Sequence, residues 1–153
     1  ALRRFVERHS DVELVFPVHP NPSVRTAVDA EFSGAGRIHC IEPLEYTDFL
    51  HLLSRAWLVA SDSGGVQEEA PSLGKPLLVL RDTTERPEVL DCGVGRLVGH
   101  SGERLEEMLE TALVDESWFD IVRTTKNPFG KGDAGEQIAS AIERFFTTKT
   151  GDA

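Results

Sequence analysis

The stretch from Trp57 to Leu80 narrows most sharply what this chain can fold into. An apolar run, Trp57–Ala60, ends at Ser61-Asp62; Ser63 and the paired glycines Gly64-Gly65 follow, then a helical segment over Val66–Leu73. Gly74-Lys75-Pro76 returns the chain to a second apolar run, Leu77–Leu80. Two short apolar runs joined by a helix make a strand–helix–strand unit with parallel strands. The pattern extends in both directions. Val12–Val18 reads as a strand, Ser23–Phe32 as a helix with Pro22 in its first turn, and Arg37–Ile41 as a strand. A helix carrying Phe49, Leu50, Leu52 and Leu53 then leads into Trp57. Beyond Leu80, Arg81–Pro87 is a charged loop, Arg96–Val98 a short fifth strand, and Ser101 opens an amphipathic helix to Val114. The rest is helical. Pro71 is expected to interrupt its helix, and Asp133 and Glu136 have capping-box spacing. Ile138, Ala139, Ile142 and Phe145 are expected to pack on the body, with a frayed tail over 146–153. The alternation predicts an α/β fold, a parallel sheet with flanking helices, as one domain over residues 1–153.

Composition sets the terms on which such a domain meets a ligand. With 153 residues, 40% of them hydrophobic, the chain has enough apolar material for a substantial core. A formal net charge of −10 and a pI near 4.9 argue against nucleic acid and anionic membrane as partners, since both require a basic footprint. An anionic ligand must therefore be met locally, by backbone amides, a helix N-terminus and a few arginines. Cys40 and Cys92 show no paired spacing, and Cys40 reads as a small buried thiol, so no disulfide or metal is assigned. No apolar run approaches the ~20 residues of a membrane span, and a cytoplasmic location is expected. Ala1 leads directly into the helical pattern Leu2–Arg8 with no cap and no leader shape, as if the chain were cut from a longer protein.

In open parallel sheets, ligands bind beyond the carboxyl ends of the strands. Three polar clusters fall at such ends: His19-Pro20-Asn21, Asp62-Ser63-Gly64-Gly65 and Arg81–Arg86. Glycines at a helix start let a diphosphate approach the amides, although a tight turn with no ligand satisfies the same tetrapeptide. Glu68 and Glu69 place carboxylates one turn from the phosphate site, where a negative charge cannot help a phosphate. A carboxylate there suits the ribose diol beyond it, or merely complements the helix dipole. Arg81 and Arg86 suit either bidentate phosphate contacts or ion pairs within their own loop. His19 is open between acid–base chemistry, phosphate contact and a structural hydrogen bond. Phe49 is open between core packing and stacking on a base. Ser63 lacks the Gly-x-Ser-x-Gly elbow of a serine hydrolase.

Taken together, His19-Pro20-Asn21-Pro22, Glu42-Pro43-Leu44-Glu45-Tyr46, Thr47-Asp48-Phe49, the run from Ser61 to Pro76 and Arg81–Glu88 resemble the non-hydrolysing bacterial UDP-N-acetylglucosamine 2-epimerases. The likeness runs from Val12 through Asn127-Pro128-Phe129-Gly130 to the last helix, which is the C-terminal part of a family member. It implies the second of two Rossmann-like halves of a glycosyltransferase-B-type fold, with the ligand in the cleft between them. By motif, Ser63, Gly64 and Gly65 match the diphosphate contacts, Glu69 the ribose ligand and Arg86 the phosphate-side arginine. Phe49 and the backbone near Leu44 match the uracil pocket. His19 matches a histidine linked in some members to a second, regulatory UDP-N-acetylglucosamine. The implied partners are UDP, UDP-N-acetylglucosamine, an absent N-terminal catalytic half and, in the full-length protein, a second copy in a homodimer. No cofactor is implied, and no catalytic residue is assigned, because the acid–base carboxylates of the family lie mainly on the other half. The implied chemistry is loss of UDP and a proton to give 2-acetamidoglucal, then re-addition of UDP with inverted C2. A glycosyltransferase half or a non-catalytic nucleotide-sugar sensor would use similar glycines and a similar carboxylate.

Overall fold

The computed structural model describes residues 1–149. Strands and helices alternate: α1 (Leu2–Arg8), β1 (Leu14–Pro17), α2 (Pro22–Phe32), β2 (Ile38–Ile41), α3 (Tyr46–Arg55) and β3 (Val59–Ser61). There follow α4 (Gly64–Leu73), β4 (Leu77–Val79), α5 (Pro87–Asp91), β5 (Gly95–Leu97), α6 (Gly102–Val114), α7 (Ser117–Thr124) and α8 (Ala134–Lys149). All strand pairing is parallel, as the alternation predicts. β1 pairs with β2, Leu14 opposite Ile38, while β4 lies between β3 and β5 with Leu77 opposite both Val59 and Gly95.

The core sits on the three-stranded sheet. Leu77, Leu78 and Val79 are fully buried, as expected of a central parallel strand covered on both faces. Val66 and Ala70 of α4, Val89 of α5, Leu105 and Leu109 of α6, and Trp118 and Val122 of α7 pack with them in one cluster. The Trp118 indole donates to the Gly93 carbonyl at 2.9 Å, and the Arg96 guanidinium lies 4.1 Å from its ring centroid. Helix starts follow local chemistry: Asn21 accepts from the Ser23 amide ahead of Pro22, and Ser101 accepts from the Arg104 amide. Arg4 and Arg8 of α1 pair with Glu106 of α6 at 2.7 and 2.8 Å, fastening the first helix across the core.

Several expectations are corrected. Pro71 does not interrupt α4, because the bond it forgoes lies in the last turn, where the chain already stops at Gly74. Gly74 takes the left-handed conformation, φ 62°, and the Lys75 amide bonds to the Ala70 carbonyl at 3.0 Å. The Arg81–Pro87 segment leaves β4 as a loop, as expected, and at Pro87 enters a one-turn helix, α5, that was not anticipated. Cys40 is exposed rather than buried, since one side of the β1–β2 ladder stays open. Ile138, Ala139, Ile142 and Phe145 are exposed rather than buried against the body: α8 is exposed along its described side chains, with Ile138 at 59%. The Asp133 carboxylate precedes α8 as anticipated but engages the Gln137 side chain and the Lys131 ammonium. The expected frayed tail is helical through Lys149, and positions 150–153 lie outside the described residues.

Candidate functional site

Because β3 and β4 are parallel neighbours ending at Ser61 and Val79, segments 62–65 and 81–86 leave the same edge of the sheet. The Leu80 amide bonds the Ser61 carbonyl at 3.0 Å, carrying the register to the point of departure. Ser63 is the N-cap of α4, yet its hydroxyl caps nothing, and its amide donates to Ser61 Oγ at 3.1 Å. The first intrahelical bond is Gln67 N–H to the Ser63 carbonyl, 3.3 Å. The amides of Gly64, Gly65 and Val66 therefore have no intrahelical acceptor and gather at the positive end of the helix dipole.

Gly64 leaves room for what stands opposite it. A Cβ there would lie 3.3 Å from Glu85 Oε1 and 3.6 Å from both Cζ and Nη2 of Arg86, so the missing side chain lets the guanidinium rest against the helix start. Gly65 is open, its nearest neighbour Ser63 Oγ at 3.8 Å. Arg86 donates through Nε to Glu68 Oε1 at 2.6 Å, and Nη1 lies 3.5 Å from Glu85 Oε1. The bond to Glu68 raises the Arg86 pKa above its ordinary value. Glu85 is held below the usual carboxylate range by its own backbone amide and by the charges of Arg81 and Arg86. Arg81 is taken up by Glu85 at 2.6 Å, the pairing within the loop weighed as its alternative. Arg86 differs: with Nε committed to Glu68, its Nη2 side faces Gly64.

Glu69 follows Gly64 by five residues, about 7.5 Å along the helix axis at 1.5 Å per residue. Its Oε1 accepts from the Tyr46 hydroxyl at 2.9 Å, and that bond pushes the phenol pKa up. Tyr46 opens α3, which packs on α4 and also carries Phe49. Phe49 is half-buried and lies against the core cluster, so packing claims part of the ring and leaves part exposed. Leu44 is exposed just ahead of α3. His19 stands at the end of the other ladder, where its Nδ1 accepts from the Asn21 amide at 3.2 Å. Thus Ser63, Gly64, Gly65 and Arg86 converge, Glu69 shares their helix, and His19 serves its own turn.

Partners that sequence reasoning did not identify hold this arrangement. They are Tyr46 on Glu69, Glu68 on Arg86, and the half-buried Thr84 on the buried Gln67. Asn127 also ties its loop to α4 by donating to the Glu68 carbonyl and to Ser72. Only Gln67 carried a local signal: it is an amide beside the apolar positions Val66 and Ala70 of an amphipathic helix. The others pair across 18 or more positions, with no pattern to announce them. Among the described residues, no group of three His, Cys, Asp or Glu side chains is arranged to hold a metal, and no helix is long and apolar enough to cross a membrane.

A parallel sheet whose glycine-started helix leaves its first amides open beside an arginine, at the carboxyl ends of the strands, defines a Rossmann-like α/β domain. The model of the UDP-N-acetylglucosamine 2-epimerase family matches residues 1–143, and the chain belongs to that family. A relative from Ralstonia nicotianae is 47% identical over 146 residues, covering 95% of this chain and 39% of the relative. The UDP-bound structure of Staphylococcus aureus MnaA superposes with a TM-score of 0.90 at 36% identity, covering 95% of this chain and 40% of that one. A Neisseria meningitidis UDP-GlcNAc 2-epimerase bound to UDP-GlcNAc gives a TM-score of 0.89 at 38% identity, over 94% of this chain and 38% of that one. The chain thus spans about two fifths of the length of the proteins it matches.

Proposed function

We propose that this chain is the UDP-gripping half of a UDP-N-acetylglucosamine 2-epimerase. The single observation that carries the reading is the cradle itself: the amides of Gly64 and Gly65 have no intrahelical acceptor, and the Arg86 guanidinium lies 3.6 Å from where a Gly64 Cβ would stand. A diphosphate placed there receives backbone hydrogen bonds, the helix dipole and a guanidinium. Glu69 then accepts from the ribose diol, and the exposed part of Phe49 with the backbone at Leu44 borders the uracil. His19 belongs to a separate, regulatory contact. In the parent protein, UDP leaves C1 as a proton is taken from C2, giving 2-acetamidoglucal; UDP then adds back at C1 while C2 receives a proton on its opposite face, which gives UDP-N-acetylmannosamine. The cradle stabilises the charge that develops on the departing diphosphate, a contribution of several kcal/mol in sites of this kind. Proton transfer falls to an N-terminal half. The parent works as a homodimer in the cytoplasm and supplies cell-surface polysaccharide synthesis.

Calorimetric titration of the chain with UDP, wild type against Gly65→Asp, tests this. A Cβ at Gly65 meets open space, and a carboxylate in a first helical turn is favoured by the dipole, so the variant is expected to fold. Its charge stands against the phosphates, and UDP affinity is expected to fall by about tenfold or more, equivalent to ~1.4 kcal/mol. Equal affinity for the two proteins would reject the site. The chain alone is expected to bind UDP without epimerising UDP-N-acetylglucosamine.

A further inference from the structure

Gln67 is the one polar side chain among the described residues that is buried outright, with no exposed surface, and it sits directly behind the glycine loop. Its Nε2 donates to the Ser63 carbonyl at 3.2 Å. Its Oε1 accepts from the Thr84 hydroxyl, which in turn accepts from the Arg86 amide at 3.0 Å. The chain of bonds has one consistent direction: Arg86 N–H to Thr84 Oγ1, Thr84 O–H to Gln67 Oε1, Gln67 Nε2–H to Ser63 O. Turning the amide over would face Oε1 against the Ser63 carbonyl, two acceptors with no proton between them, so the donor pattern fixes the orientation. Both ends of this relay are backbone atoms, and both belong to the residues that flank the gap at Gly64.

We infer that Gln67 is a positioning residue for diphosphate binding: through Thr84 it locks the glycine loop to the Arg86 loop at one spacing. The inference rests on the UDP reading of the cradle. Two arguments support it. First, the Ser63–Gly64 peptide is planar and trans, so its C=O and N–H point to opposite sides. The Ser63 carbonyl is held inward by both the main-chain and side-chain N–H of Gln67, and this turns the Gly64 N–H outward, toward the ligand side. Second, the Arg86 amide is anchored by Thr84 while the Arg86 guanidinium is anchored by Glu68, so backbone and side chain are both set before a ligand arrives. Removing one member of a buried relay leaves its neighbour unpaired, which loosens the junction rather than merely weakening it.

The test compares ligands that share a base and ribose but differ in phosphates. UDP and uridine are titrated into the chain as wild type, Thr84→Val, Thr84→Ser and Gln67→Met, with melting temperatures recorded alongside. Thr84→Val keeps the shape of a partly exposed loop residue and removes the hydroxyl; Gln67→Met keeps the length and removes both bonds. Each is expected to weaken UDP by about tenfold while uridine changes by less than about twofold, and Thr84→Ser is expected to restore UDP affinity. Should Gln67→Met not fold, Thr84→Val against Thr84→Ser decides alone. Two results overturn the inference. In one, the melting temperature falls while UDP affinity holds, so the relay serves stability only; in the other, UDP and uridine weaken together, so it does not act through the phosphates. If wild type binds UDP no better than uridine, or Gly65→Asp has no effect, the cradle reading fails and takes this inference with it. If Gly65→Asp weakens UDP and Thr84→Val does not, the cradle stands and only the relay falls.

Discussion

The two parallel ladders of this domain are made of strands of similar length and composition, yet they sit in different surroundings. In the β3–β4–β5 ladder the central strand is fully buried, and helices α4 to α7 contribute to its cover. In the β1–β2 ladder Val15 is 38% exposed, Cys40 is exposed, and Phe16 meets Phe32 of α2 edge-on. The cradle residues hang from the first ladder and His19 from the second. A diphosphate site needs donors fixed to fractions of an ångström, and that precision is available only where neighbouring elements are packed on every side.

The largest expected effect tests that contrast directly. Leu78→Ala empties a fully buried position and should cost about 2–5 kcal/mol of unfolding free energy, whereas Val15→Ala should stay within about 0.5 kcal/mol. Urea unfolding of the two variants checks this, and similar losses would erase the distinction between the ladders. A smaller effect sharpens the boundary of the well-packed side. Trp118→Phe removes the bond to the Gly93 carbonyl and weakens the cation–π contact with Arg96, for an expected loss of about 1–2 kcal/mol by the same method.

The smallest expected effect compares the ion pairs of the two sides. Glu106, 15% exposed and bonded by Arg4 and Arg8, has its pKa held below the ordinary 4.5, chiefly by the Arg4 hydrogen bond. A carboxyl with a lowered folded-state pKa contributes stability that is fully present above its unfolded value and is lost as pH falls through the folded one. Acidification below pH 4.5 should therefore lower the melting temperature, and Glu106→Gln should remove that share of the slope. Glu42 is held down likewise by Arg25, but it is 74% exposed, so solvent screens the pair and Glu42→Gln should change the slope less. A Glu42→Gln effect equal to that of Glu106→Gln would count against the contrast.

Much of this was legible in the chain itself because strands and helices carry local periodicities. Leu77–Leu80 read as a strand since an apolar run framed by Gly74-Lys75-Pro76 and a charged loop has few other uses, and the glycine turn read as a helix start for the same kind of reason. The misreadings share one cause. Cys40 in an apolar run, and Ile138 and Ile142 at helical spacing, announce a face that wants cover; whether anything covers it is a long-range fact, and here both faces lie open. Pro71 erred in the opposite sense, because the penalty of a helix proline depends on how many turns follow it, and here the helix stops at Leu73.

The alternation of elements, the parallel pairing that alternation demands, and the glycine turn with an arginine-bearing loop at neighbouring strand ends all depend on residues close along the chain. Tertiary structure alone decided which arginine is consumed by its own loop and which turns toward Gly64, that Tyr46 holds Glu69, and that Gln67 and Thr84 join two loops from behind. Apart from the Arg81–Glu85 pair, four positions apart, those outcomes depend on which side chains meet when α3, α4 and the loop after β4 come together, and no local pattern encodes a meeting between residues 17 to 23 positions apart.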